Sequence, residues 1–261
     1  VNMMEGILLL IIGVIAGGYG TIVGAGGGFI FVPALLIVFQ MNPIIAAGSG
    51  LVIVLINSLT GVVGYAKQKK INYKIALTIG ISAIPGALLG VWLLQLYSSQ
   101  YFYVIFATIL VVLGIFLFSK NSPLEGRLFK KRTSSKVNRN DQKKLNHKWF
   151  LPLGFVMGIL SSYLGIGGGW LLVPILVYLF KVTTHQAAAT SILSLCIYSI
   201  VGVGSQLFYQ NIDWMVVIFG GIGVMIGAHL GVILSQRIPG KVVMQMLSVL
   251  LIIIGIRMYF Q

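Results

Sequence analysis

Of the 261 residues, 58% are hydrophobic and 8% charged, with a mean hydropathy of +1.01. Soluble domains carry about a quarter charged residues, so the composition excludes a soluble globular chain and specifies a polytopic membrane protein. The net charge of +14 would suit nucleic acid, but most of it lies in two loops without interleaved aromatics, so the bilayer is the expected partner and nucleic acid is not.

In chain order, no basic region or small-residue cleavage site marks a signal peptide ahead of the first apolar run. That run, residues 6–23, ends in Gly24-Ala25-Gly26-Gly27-Gly28 and is followed by a short one, 29–39. Eleven helical residues rise about 16 Å, roughly half of a ~30 Å hydrocarbon core, which places the glycine cluster near mid-membrane. Segments 44–65, 75–96 and 101–118 follow. Residues 120–148 are polar and basic, with Pro123 and Ser134-Ser135 fitting a solvated connector. Beyond them come 149–164, 170–180, 187–208, 214–235 and 242–260.

The second series repeats the first. Gly24-Ala25-Gly26-Gly27-Gly28-Phe29-Ile30-Phe31-Val32-Pro33-Ala34-Leu35 recurs as Gly165-Ile166-Gly167-Gly168-Gly169-Trp170-Leu171-Leu172-Val173-Pro174-Ile175-Leu176, at an offset of 141. The same offset pairs Gly13 with Gly154, Ser58 with Ser199, Gly90 with Gly231 and Gly114 with Gly255. The duplication divides the chain into a transmembrane repeat (1–119), a basic cytoplasmic linker (120–148) and a second repeat (149–261). Each half crosses the membrane an odd number of times, whether its glycine-broken pair spans or re-enters, so the repeats are inverted. With both termini outside, all of the 18 basic residues but Arg257 fall inside, as the positive-inside rule asks. The expected fold is therefore all-α, with two inverted five-segment repeats and a glycine-broken helix pair in each, in a cell membrane.

Broken helices at bilayer depth must line a cavity or pack on protein, since lipid cannot satisfy free backbone N–H groups. Half-helices starting at Phe29 and Trp170 would aim free N–H groups and positive dipole ends into such a cavity, an anion site that needs no buried Lys or Arg. Gly26, Gly27, Gly28, Gly167, Gly168 and Gly169 are the candidate backbone contacts, with Gly27 and Gly168 expected to face each other across the substrate. Gly86, Gly90, Gly227 and Gly231 read instead as helix-packing positions.

With Ala187-Ala188-Ala189-Thr190-Ser191 added to the duplicated G-x-G-G-G-x-x-x-V-P-x-L, the chain resembles the sulfite exporter TauE/SafE family over all but 120–148. The resemblance implies export of a small sulfur-containing anion, sulfite or an organosulfonate. The first half departs from it, with Ser49 where Thr190 stands and Gly50 where Ser191 stands.

Ser49, Thr190 and Ser191 are candidates for substrate contact or for capping. Asn57 is a further site candidate, and both it and Gln206 are otherwise interhelical hydrogen-bonders. His229, aligned with Leu88, reads as a packing residue despite its place deep in a span. Cys196 reads as a small core residue and excludes an internal disulfide. The chain's 4 acidic residues all lie at ends or in loops, so no carboxylate relay, cofactor or metal is expected. Export then follows from the membrane potential, worth roughly 2.3 kcal/mol per charge per 100 mV. The alternatives are an anion channel with the same site, a scaffold protein, and an intramembrane hydrolase using Ser49 with His229. The last leaves the duplication unexplained.

Overall fold

The computed structural model describes residues 3–96, 100–121 and 149–259. They form ten α-helices and, among the described residues, no strand. The first repeat contributes α1 (Met3–Val23), α2 (Gly28–Ile37), α3 (Pro43–Lys67), α4 (Tyr73–Leu96) and α5 (Gln100–Asn121). The second contributes α6 (Phe150–Leu164), α7 (Gly169–Tyr178), α8 (Thr184–Phe208), α9 (Trp214–Ser235) and α10 (Gly240–Tyr259). Each predicted segment is a helix with nearly the expected ends. The connector starts later than its composition suggests, because α5 continues through Lys120 to Asn121. The rest of it, including Lys130, Lys131, Arg132, Lys143 and Lys144, lies outside the described residues.

Six helices, α1, α3, α4, α8, α9 and α10, are long and apolar enough to cross a membrane. Their ends follow from local chemistry. Pro43 begins α3 where a missing N–H costs nothing, and the Asn42 side chain accepts from Ile44 N at 2.9 Å. Asp213 caps α9 by accepting from Met215 N and Val216 N at 2.9 and 3.2 Å. α1 stops at Gly24, whose φ of +82° suits glycine far better than any L-residue. Its mate in the second repeat, Gly165, ends α6 with φ +70°. At the first of these ends, Ala25 N and Gly26 N both donate to Gly20 O, at 2.8 and 3.2 Å, satisfying a carbonyl the helix leaves open.

The halves pack by exchanging partners. α1 lies along α9, and its repeat mate α6 lies along α4; α3 faces its own mate α8, and α5 faces its own mate α10. The seams are backbone-to-backbone. A Cβ on Gly90 of α4 would collide with Ile159 O of α6, and one on Gly231 of α9 would lie 2.5 Å from Gly18 O of α1. Gly86 and Gly227 press on Phe155 O and Val14 O in the same way. Such close approach is how helices gain dispersion contacts where no hydrophobic effect drives them together. Outer faces present exposed Ile81, Trp92, Ile218 and Ile253, as contact with lipid requires.

Gly90→Ala and Gly231→Ala should therefore each cost about 1–3 kcal/mol through overpacking. The measurement is thermal unfolding in detergent, where both variants should melt below the parent. A parent-like melting temperature for both would show that these seams yield freely.

Candidate functional site

The two helix breaks meet in the middle of the protein. Every residue from Thr21 to Phe29, and every one from Ser161 to Trp170, is buried. Each break rests on the other half: Gly24 packs on Ala188 of α8, and Gly165 packs on Ala47 of α3. They also touch directly. A Cβ on Gly28 would fall 2.8 Å from Ile166 Cα, and one on Gly169 would fall 2.8 Å from Ala25 Cα. Gly26 and Gly167 face the same two side chains, Val54 and Leu195, each 3.0–3.1 Å from the Cβ position of either glycine. Val54 and Leu195 are themselves repeat mates, so they occupy the centre of the junction.

Gly27 and Gly168 do not face each other as expected. Gly27 leans on Ala16 O of α1, and Gly168 on Met157 O of α6, because the turn that restarts each half-helix swings its middle glycine back onto its own first helix. The residues that meet across the junction are the flanking ones.

Polar groups crowd this apolar interior. Thr21 donates to Asn57 Oδ1 at 3.1 Å, and Tyr65 donates to Thr21 O at 2.8 Å, which fixes the end of α1. The Asn57 Nδ2 group has no partner, nor do the hydroxyls of Ser58, Ser162 and Ser199, all fully buried, while Ser161 pairs with the Tyr198 hydroxyl. The Ser58 hydroxyl lies 3.8 Å from the Cβ position of Gly26, against the first glycine turn. α2 and α7 both start without a side-chain cap. In the second repeat, however, Gly168 N donates to Tyr198 Oη at 3.0 Å.

Glycine turns that abut at the protein's centre, under a duplicated set of helices, match a known pattern over the full chain. The profile of the sulfite exporter TauE/SafE family matches residues 9–258. The chain belongs to that family. Among its relatives, the probable membrane transporter protein YunE of Bacillus subtilis (strain 168) is 28% identical and aligns with 99% of this chain and 98% of its own length. A probable membrane transporter protein of Methanocaldococcus jannaschii is 31% identical over 96% of this chain and 94% of its own. The probable membrane transporter protein YjnA of Bacillus subtilis is 31% identical over 88% and 91%. No solved structure matches. The protein is thus a multi-pass membrane transporter of the TauE/SafE family.

In this TauE/SafE chain the Ser/Thr candidates lie past the caps, inside α3 and α8, and each already has a partner. Ser49 Oγ accepts from Asp213 N at 2.9 Å, and its mate Thr190 Oγ1 accepts from Asn72 N at 3.1 Å. Each hydroxyl ties down the start of a helix in the other repeat, so Ser and Thr are equivalent here. Ser191 donates to Gly24 O at 2.9 Å. At its mate Gly50, a Cβ would sit 2.7 Å from Gly165 O and against Val32, so backbone packs where the other half uses a hydroxyl. Gln206 is buried and accepts from Asn211 Nδ2 at 2.9 Å, a local bond at the end of α8. Cys196 is buried as expected. His229 is not a packing residue; it is exposed on the outer face of α9, because its helix buries the Gly227–Gly231 side against α1.

Tyr198, Thr21, Ser58 and Ser161 were not singled out from sequence. The 141-residue spacing does pair Ser58 with Ser199 and Asn57 with Tyr198, and an amide or phenol inside an apolar span was the available signal.

Ser49→Ala and Thr190→Val should each lower stability by about 0.5–1.5 kcal/mol, since a part-buried backbone N–H at a helix start loses its acceptor. Thermal melts in detergent check this, and Ser49→Thr should restore the parent value.

Proposed function

We propose that this protein exports a small sulfur-containing anion, of the sulfite or organosulfonate class, through a site at the junction of its two glycine turns. The observation that carries the reading is that two half-helix starts, neither with a side-chain cap from its own N-cap glycine, converge in the buried interior with the unpartnered Asn57 amide and Ser58 hydroxyl. N–H groups at a helix start, with the dipole behind them, favour an anion without any buried cation. Glycine at these positions lets the backbone reach the ligand. Val54 and Leu195 then act as the apolar barrier an anion passes.

The two repeats are read as inverted, with both termini outside and the basic linker in the cytoplasm of a cell-membrane protein. The exchange of partners between halves fits a pseudo-two-fold relation, and the odd number of crossings read for each half makes that relation an inverted one. An outward-moving anion gains roughly 2.3 kcal/mol per charge per 100 mV from a negative interior, and the acidic groups among the described residues, Glu5 and Asp213, lie at helix starts. Potential-driven uniport follows.

Purified protein in liposomes should carry sulfite electrogenically with no proton gradient; strict dependence on co- or counter-moving protons would overturn the uniport. Discrete single-channel currents would make it a channel. Gly26→Ala and Gly167→Ala each point a methyl group at Val54 and Leu195, and both glycines have positive φ, so a strain of about 1–2 kcal/mol is expected. Sulfite flux per folded molecule should fall at least tenfold in each. Normal flux in both would remove the junction from the pathway.

A further inference from the structure

The two halves of the junction share a backbone plan but not its polar chemistry. At the position where the first repeat carries Asn57, the second carries Tyr198. Tyr198 is fully buried, and its hydroxyl accepts the Gly168 N–H at 3.0 Å, so the start of α7 has one of its donors already engaged by the protein. Asn57 does the reverse. Its carbonyl oxygen is held by Thr21 at the end of α1, which leaves its NH2 group unpaired, and no side chain engages the start of α2 as Tyr198 engages that of α7. Ser58 adds an unpaired hydroxyl against the Gly26 turn. Leaving buried donors unpaired is costly. An anion at α2 would accept from the Asn57 amide and the Ser58 hydroxyl together; in the second half Tyr198 already engages the Gly168 N–H, although the Ser199 hydroxyl and the Trp170 indole N–H are also buried without a partner.

We propose that the polar grip on the anion is centred on the first repeat, through the Asn57 amide and the Ser58 hydroxyl beside the start of α2, and that Tyr198 seals the equivalent position of the second repeat. The transporter then holds one anion per chain, off the pseudo-symmetric centre and towards α2. This rests on the junction being the anion site, and extends it by assigning the site to one half and Tyr198 a role in keeping it there.

The test uses the full-length protein in detergent, with sulfite as the titrated probe and methanesulfonate and sulfate in parallel, followed by calorimetry. The serine pair is the cleanest comparison, because both hydroxyls are buried and unpartnered, so neither alanine variant removes a bond the fold relies on. Ser58→Ala and Asn57→Leu should weaken sulfite binding tenfold or more. Ser199→Ala should change it less than threefold, and Tyr198→Phe, which frees the Gly168 N–H, should leave it equal or tighter. Equal losses in Ser58→Ala and Ser199→Ala, or weakening in Tyr198→Phe, would overturn the proposal by showing a shared grip. If Asn57→Leu fails to fold for want of its Thr21 partner, the serine pair decides alone. If the parent binds none of the three anions, the junction is not an anion site at all and the underlying reading falls with it.

Discussion

The structure is governed by the cost of unpaired backbone inside hydrocarbon. A helix that stops inside the protein exposes several N–H and C=O groups, and lipid would offer them nothing. One such break is tolerable only when protein covers it. Here each break is covered by the opposite half, Gly24 by Ala188 and Gly165 by Ala47, while Ser191 donates to the Gly24 carbonyl. The two breaks therefore require each other. Separating the repeats would uncover both at once, which is a physical reason for a duplicated chain to bring them to a common centre.

That mutual cover also explains the exchange of partners outside the junction. With each turn seated on the other repeat's third helix, the first helix of each half falls against the fourth helix of the other. Glycine and alanine then set how closely these pairs approach. The hydroxyls of Ser49 and Thr190 reinforce the exchange, because each accepts from the backbone at the start of a helix belonging to the opposite repeat. Several small residues that look like ligands in isolation are thus fasteners between halves.

Much of this was legible in the sequence. The helices, their near-exact ends and the duplicated break follow from runs of apolar residues, punctuating glycines and a constant offset. The glycines at 86, 90, 227 and 231 were correctly separated from those in the turns, since they sit in unbroken helix. What was not legible depends on contacts between halves. Nothing local to Ser49 indicates that Asp213 supplies its partner 164 residues away. The facing of Gly27 could not be read from its spacing either, because it depends on how the restarted helix leans on Ala16. His229 was misplaced for a related reason: its depth along α9 is plain in the sequence, but its side of the helix is decided by which face meets α1.

The same backbone can carry different charge at equivalent corners, and this bears on direction. Among the described residues four non-glycine ones have positive φ, and they form two repeat pairs, Gln40 with Lys181 and Lys69 with Gln210. Since the paired corners share this unusual conformation, the backbone does not select lysine over glutamine at them. In an inverted repeat the counterpart of an inner corner is an outer one. Under the proposed orientation both lysines are cytoplasmic and both glutamines face outside, so a single loop design has been given opposite charge character on the two membrane surfaces. A cation at an inner corner orients the chain during insertion, and the same cation raises the local concentration of anions at the inner mouth. If the chain exports an anion in that orientation, both effects fall on the side where they help, whereas lysines at the outer corners would oppose insertion and draw released anion back.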